Sequence, residues 1–127
     1  MYELEIESGF RAAHAIVMNG VREAAHEHDW RVRVVVEGEA LDGDGLLCDF
    51  HELEARLEGA VARLRNVDLN VTEPFDRVNP TAEAVARHLA EVIGPGLPRG
   101  VRLQRVQVTE APGCRATYRT REHGDGS

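Results

Sequence analysis

Residues 26–36 read His-Glu-His-Asp-Trp-Arg-Val-Arg-Val-Val-Val, and their even positions hold His26, His28, Trp30, Val32, Val34 and Val36. Side chains two apart on a strand point to the same face. The stretch therefore reads as a strand with one apolar face. Both histidines end that face, not the solvated one that carries Arg31 and Arg33. Such a strand must pair in a sheet and have its apolar side covered. A pair of histidines at a strand end is also a common surface pattern, but a polar group on a buried face needs a partner.

A second strand keeps the same parity. Tyr2, Leu4 and Ile6 alternate with Glu3, Glu5 and Glu7. Phe10, Ala12, His14 and Ile16 continue the even positions past Gly9, which reads as a bulge. His14 thus supplies a third imidazole. Three imidazoles on rigid strands match a catalytic zinc site with an open fourth position.

Beyond Met18–Ala25, read as a loop, and the turn chemistry of Leu41–Gly45, two helices follow. Asp49 caps the first, with Glu52 completing a capping box, and Phe50, Leu53, Leu57, Val61 and Leu64 form its apolar stripe. The second starts at Asn79-Pro80 with Pro80 in the first helical position, carries Val85, Ala86, Leu89 and Val92 inward, and stops at Gly94-Pro95-Gly96. His51 and His88 fall off these stripes and read as surface residues. Arg102–Thr109 is a third strand, whose Val106 and Val108 share a face with Glu110. Ala111-Pro112-Gly113 turns the chain into a fourth strand through Ala116 and Tyr118. The order ββααββ predicts an α+β fold, a four-stranded antiparallel sheet with both helices on one face. Its two open edges invite assembly into a ring of subunits.

Composition narrows the partners. Fifteen basic residues against 22 acidic give a net charge of −7, with no basic stripe for nucleic acid. No apolar run of about 18 residues exists to span a membrane. Met1–Glu5 does not read as a signal peptide, so a cytoplasmic location is expected. Cys48 and Cys114 suggest no disulfide framework and read as small buried residues. Residues 1–120 are expected to form one domain, and the polar, Gly-rich residues 121–127 a frayed tail.

The ordered motifs resemble those of the 6-pyruvoyl-tetrahydropterin and 6-carboxy-tetrahydropterin synthase family. Phe10-Arg11-Ala12-Ala13-His14 resembles its F-S-A-A-H, and His26-Glu27-His28-Asp29-Trp30 its H-G-H-N-Y. Gly45 with Asp49-Phe50 resembles G-x-x-x-D-F. Leu69-Asn70 and Pro80-Thr81-Ala82-Glu83 match L-N and P-T-x-E. Val108-Thr109-Glu110 resembles V-x-E-T. The resemblance implies a T-fold subunit, a hexamer of two trimeric rings, and sites at subunit interfaces. It implies that His14, His26 and His28 hold Zn²⁺. It implies that Glu110 anchors a pterin, since a carboxylate can accept two N–H bonds from the 2-aminopyrimidinone edge.

Two departures bear on activity. The family's catalytic cysteine, four residues before the first histidine of H-x-H, is replaced by Arg22. Its Asp–His pair before L-N is replaced by Arg65-Asn66, neither a base near neutral pH. Glu23, three residues before His26, resembles the branch in which glutamate replaces the cysteine and dihydroneopterin triphosphate is cut to 6-hydroxymethyl-dihydropterin. The resemblance thus implies a zinc-dependent carbon–carbon or carbon–oxygen lyase of pterin metabolism, with Glu23 as base. The alternatives are a pterin- or purine-binding homologue without turnover, and an oligomer that zinc merely stabilises.

Overall fold

Two long strands form the spine: β1 (Tyr2–His14) and β4 (His26–Gly38). They pair antiparallel from Tyr2↔Gly38 to His14↔His26 without a slip. Their even positions, Ile6, Phe10, Ala12, Trp30, Val32, Val34 and Val36, are buried as the alternation requires. The computed structural model describes residues 1–120. The tail expected at residues 121–127 lies outside the described residues.

The expected bulge at Gly9 is absent, because Gly9 pairs directly with Arg31. Glycine is there for space: a Cβ would lie 2.9 Å from the Trp30 carbonyl oxygen. A bulge lies instead on β6 (Arg102–Ala111), where Gln104 is the extra residue between the pairs Val35↔Arg105 and Val36↔Leu103. β7 (Cys114–Arg119) follows through the turn at Pro112-Gly113, with Gly113 at φ 83°.

The expected loop at 18–25 holds a small hairpin, β2 (Val17–Met18) and β3 (Val21–Arg22). Its turn residues, Asn19 and Gly20, both have positive φ, at 53° and 79°. That is the Asn-Gly hairpin chemistry. A fifth strand also joins the main sheet. β5 (Val67–Asp68) runs parallel to β1 at Ala12 and Ala13, so the sheet is mixed, in the order β5-β1-β4-β6-β7.

Helix α1 (Phe50–Ala62) packs on β1, and α2 (Ala82–Ile93) packs on β6 and β7. The α+β architecture with two helices is as expected. Asp49 caps α1 by accepting the His51 N–H, and Leu53, Leu57 and Val61 are buried. Phe50, placed on the stripe by spacing, is the first helical residue and is 48% exposed. Pro80 is not the first residue of α2. Thr81, whose hydroxyl accepts the Ala84 N–H, is the better N-cap and starts the helix after itself. Val92 lies outside the buried set of Val85, Ala86, Leu89, Ala90 and Ile93. Each fully buried Val or Leu contributes roughly 1.5–3 kcal/mol, so these two faces together hold the helices on the sheet.

His51 is exposed as expected. His88 is not a free surface residue. It is half-buried edge-on against Phe75, with ring centroids 5.3 Å apart, and burial pushes its pKa below the usual histidine value. Cys114, expected to be buried, is exposed next to the β6–β7 turn, whereas Cys48 is half-buried against the core. No helix of the described residues is long and apolar enough to cross a membrane.

Candidate metal centre

The register alone assembles three imidazoles. His14 lies directly opposite His26, and Ala12 opposite His28, so His28 is the diagonal neighbour of His14. The ring centroids are 4.8 Å apart for His14–His26, 5.3 Å for His14–His28 and 4.4 Å for His26–His28. Trp30, fully buried, floors the cluster. It meets His14 edge-on at 4.9 Å and donates its Nε1–H to the Ala12 carbonyl at 3.2 Å.

Two backbone carbonyls fix the tautomers. His14 Nδ1 lies 2.7 Å from the Pro80 oxygen and His26 Nδ1 3.2 Å from the Ala24 oxygen. A carbonyl can only accept, so each Nδ1 carries the proton and each Nε2 presents a lone pair. This is the orienting contact that metal-binding histidines use. Pro80 therefore serves the site through its carbonyl, a role that sequence spacing did not reveal.

The Nε2 atoms of His14 and His28 are buried and lack any hydrogen-bond partner among the described residues. His14 is only 1% exposed. Burial lowers the pKa of His28. Glu110 pulls the other way, and His26 and His14 add to the lowering. Imidazoles with buried, unpaired Nε2 atoms are the donor set that a zinc ion takes. One donor atom from each of His14, His26, His28 and Glu110 lies within 4.8 Å of all the others. The residues present therefore fit a metal.

Glu110 reaches the cluster because of a bulge. Thr109 pairs with Arg115 and Ala111 with Cys114, leaving Glu110 as the extra residue of β6. A bulge re-aims the side chain it carries. Glu110 Oε2 sits 3.3 Å from His28 Nε2 and 3.6 Å from His14 Nε2.

Glu23 stands at the rim. Its Oε1 accepts the Ile16 N–H at 3.1 Å and lies 3.9 Å from His26 Nδ1, the ring nitrogen turned toward the Ala24 carbonyl. Arg22 is exposed on β3. Arg65 pairs with Glu58 at 2.6 Å and donates to the Gly9 carbonyl, five residues along β1 from His14. Asn66 adopts φ 59° and donates its N–H to the Arg11 carbonyl. Within one chain, neither Arg65 nor Asn66 joins the histidines.

Two asparagines hold the segment after His14. Asn70 accepts the Ala15 N–H at 2.7 Å and donates to the Ala15 carbonyl at 2.8 Å. Asn79 does the same for Val17, at 2.9 Å each way. Ala15 is fully buried, so replacing Asn70 by alanine strands two polar groups. At roughly 1–3 kcal/mol for each, Asn70→Ala is expected to lower stability by about 2–6 kcal/mol in urea unfolding. A loss under about 0.5 kcal/mol would mean that water replaces the clamp. Val17 is 43% exposed, so Asn79→Ala should cost less.

A family model described as 6-pyruvoyl tetrahydropterin synthase matches residues 3–121. The 6-pyruvoyl tetrahydropterin synthase of Caenorhabditis elegans superposes with a TM-score of 0.82 at 21% identity, over 94% of this chain and 96% of that one. A Plasmodium vivax 6-pyruvoyltetrahydropterin synthase, solved with a catalytic glutamate replaced, gives 0.73 at 20% identity, over 95% and 98%. An uncharacterized protein from Wolinella succinogenes gives 0.78 at 18% identity, over 94% and 98%. At these identities the likeness shows the fold, which is the T-fold expected. No curated protein sequence matches the chain.

Proposed function

Because the chain belongs to the 6-pyruvoyl tetrahydropterin synthase family, we propose that it is a zinc-dependent lyase acting on the side chain of a reduced pterin such as 7,8-dihydroneopterin triphosphate. The observation that carries this reading is the pair of buried, unpaired Nε2 atoms on His14 and His28 with Glu110 beside them. His14, His26 and His28 hold the metal, which when bound supplies Lewis acidity toward substrate oxygens. Glu110 accepts N–H bonds from the pterin ring. Glu23 takes a proton from a side-chain hydroxyl, in a protein with no cysteine at position 22 and no histidine at position 66. A glutamate named as catalytic in the Plasmodium vivax relative supports a carboxylate in that role. The reaction takes place in the cytoplasm, a location to be checked by cell fractionation.

Pterin binding tests the reading directly. Glu110→Gln keeps size but removes charge, and should weaken the binding of a dihydropterin by roughly 1.5–3 kcal/mol in calorimetric titration. Unchanged affinity would mean that the ring is held elsewhere.

The functional unit is a ring-based oligomer, a hexamer of two trimers. The main sheet is open along residues 2–8 of β1 and along β7. Met18, Val21 and Val71 are 60%, 70% and 76% exposed near the site, which supports cover by a second subunit. Light scattering at micromolar concentration should give the hexamer, and a monomer would contradict it.

A second reading has its own support. Glu23 Oε1 is engaged by the Ile16 N–H, which favours a pterin- or purine-binding homologue without turnover. Product analysis after incubation with dihydroneopterin triphosphate separates the two.

A further inference from the structure

We infer that Glu110 is a fourth, displaceable ligand of the metal, closing the centre until a pterin draws the carboxylate away. This rests on the metal and pterin reading above and adds a state of that same site. Four ligands at about 2.0–2.1 Å from a zinc ion stand about 3.3–3.4 Å apart along a tetrahedral edge. Glu110 Oε2 lies 3.3 Å from His28 Nε2 and 3.6 Å from His14 Nε2. Neither contact is a hydrogen bond, and both Nε2 atoms are buried without a partner. With the Pro80 carbonyl holding the proton of His14 on Nδ1, its Nε2 lone pair faces carboxylate lone pairs. Acceptors converging on acceptors call for a cation between them. The bulge at Glu110 is what turns the carboxylate toward that point.

With Oε2 held at the metal, the carboxylate is turned away from the side-by-side geometry in which both oxygens meet the two N–H groups of a pterin edge. Pterin binding therefore opens the fourth position, and the centre stays closed to adventitious ligands until the ring is seated. Metal and pterin compete for one side chain, so each alters the other's affinity.

Cobalt(II) in place of zinc reports the coordination through its visible absorption, read on the full chain without pterin. Glu110→Gln removes the charge. Glu110→Asp keeps the charge but withdraws it by one methylene, which separates ligation from a simple field effect. Both variants are expected to change the spectrum. Both should also lose metal to a competing chelator at least roughly 10–100-fold more readily, since even partners outside the ligand set are worth that much. Circular dichroism checks that they fold. Adding pterin to the parent protein should move its spectrum toward that of Glu110→Gln, and the parent's response stands even if a variant does not fold. Spectra that coincide for all three proteins, or an Asp variant identical to the parent, overturn ligation by Glu110. A parent spectrum that stays fixed while pterin binds overturns its release. A parent that takes up no cobalt, or cobalt but no pterin, overturns the underlying reading and this inference with it, a result distinct from a bound but unmoved spectrum.

Discussion

His28→Ala protein will come out of purification with most of its zinc gone. The parent is expected to carry about one zinc per chain on three imidazoles, and this variant removes the one whose Nε2 stands closest to Glu110 Oε2. Loss of a direct ligand should exceed the 10–100-fold drop in affinity typical of outer partners. The fold should survive. His28 is 21% exposed at the end of its strand, and the hydrophobic residues of the core do not depend on it. His51→Ala is the control, because His51 is 92% exposed and lies on α1. Elemental analysis showing full zinc in His28→Ala would sink the assignment of the centre.

Glu23→Gln should abolish turnover while leaving zinc and pterin bound. General bases typically contribute about 10²–10⁴-fold, and Arg65 and Asn66 offer no substitute. The product of the parent protein should be a shortened pterin such as 6-hydroxymethyl-dihydropterin. Glu23 Oε1 faces the Nδ1 side of His26 and holds the Ile16 N–H, so Oε2 is the oxygen left to take a proton from a substrate. Glutamine keeps an oxygen for the same N–H, so the hairpin around it should be undisturbed and the effect should fall on kcat. A Glu23→Gln protein as active as the parent removes glutamate from the reaction. A parent without turnover on any dihydroneopterin derivative leaves the binding-protein reading as the better account.

Much of this was legible in the residues because a period of two is hard to disguise. His26, His28, Trp30, Val32, Val34 and Val36 share one parity, His14 shares another strand's buried parity, and antiparallel pairing brings them together. On β6 the same rule put Glu110 on the face of Val106 and Val108, and no more than that. What escaped was long-range or local in other ways. β5 is two residues long and pairs with β1 across the whole of α1, so no pattern announces it. The hairpin at 17–22 carries one signal, Asn19-Gly20, but its flanking strands are too short to alternate. Pro80 signals a helix start through its ring, whereas its carbonyl is what the site uses. The closeness of Glu110 to His28 depends on a bulge that parity cannot foretell. Asn70 and Asn79 were visible as motif letters, but clamping Ala15 and Val17 is a contact between distant segments.

The unslipped pairing of β1 with β4 also determines where this chain can change length. One residue inserted between Phe10 and His14 would carry His14 to the opposite face while Ile6 and Phe10 stayed put, and every ligand distance would be lost at once. The tip at Asn19-Gly20 is different. It is exposed, a Cβ on Gly20 would meet nothing within 4 Å, and the asparagine clamps at Ala15 and Val17 hold the arm that leads to it from His14. Within one chain, a change of length at that tip leaves the β1–β4 register and its three imidazoles in place, and in the proposed ring it would be limited by the subunit that covers Met18 and Val21.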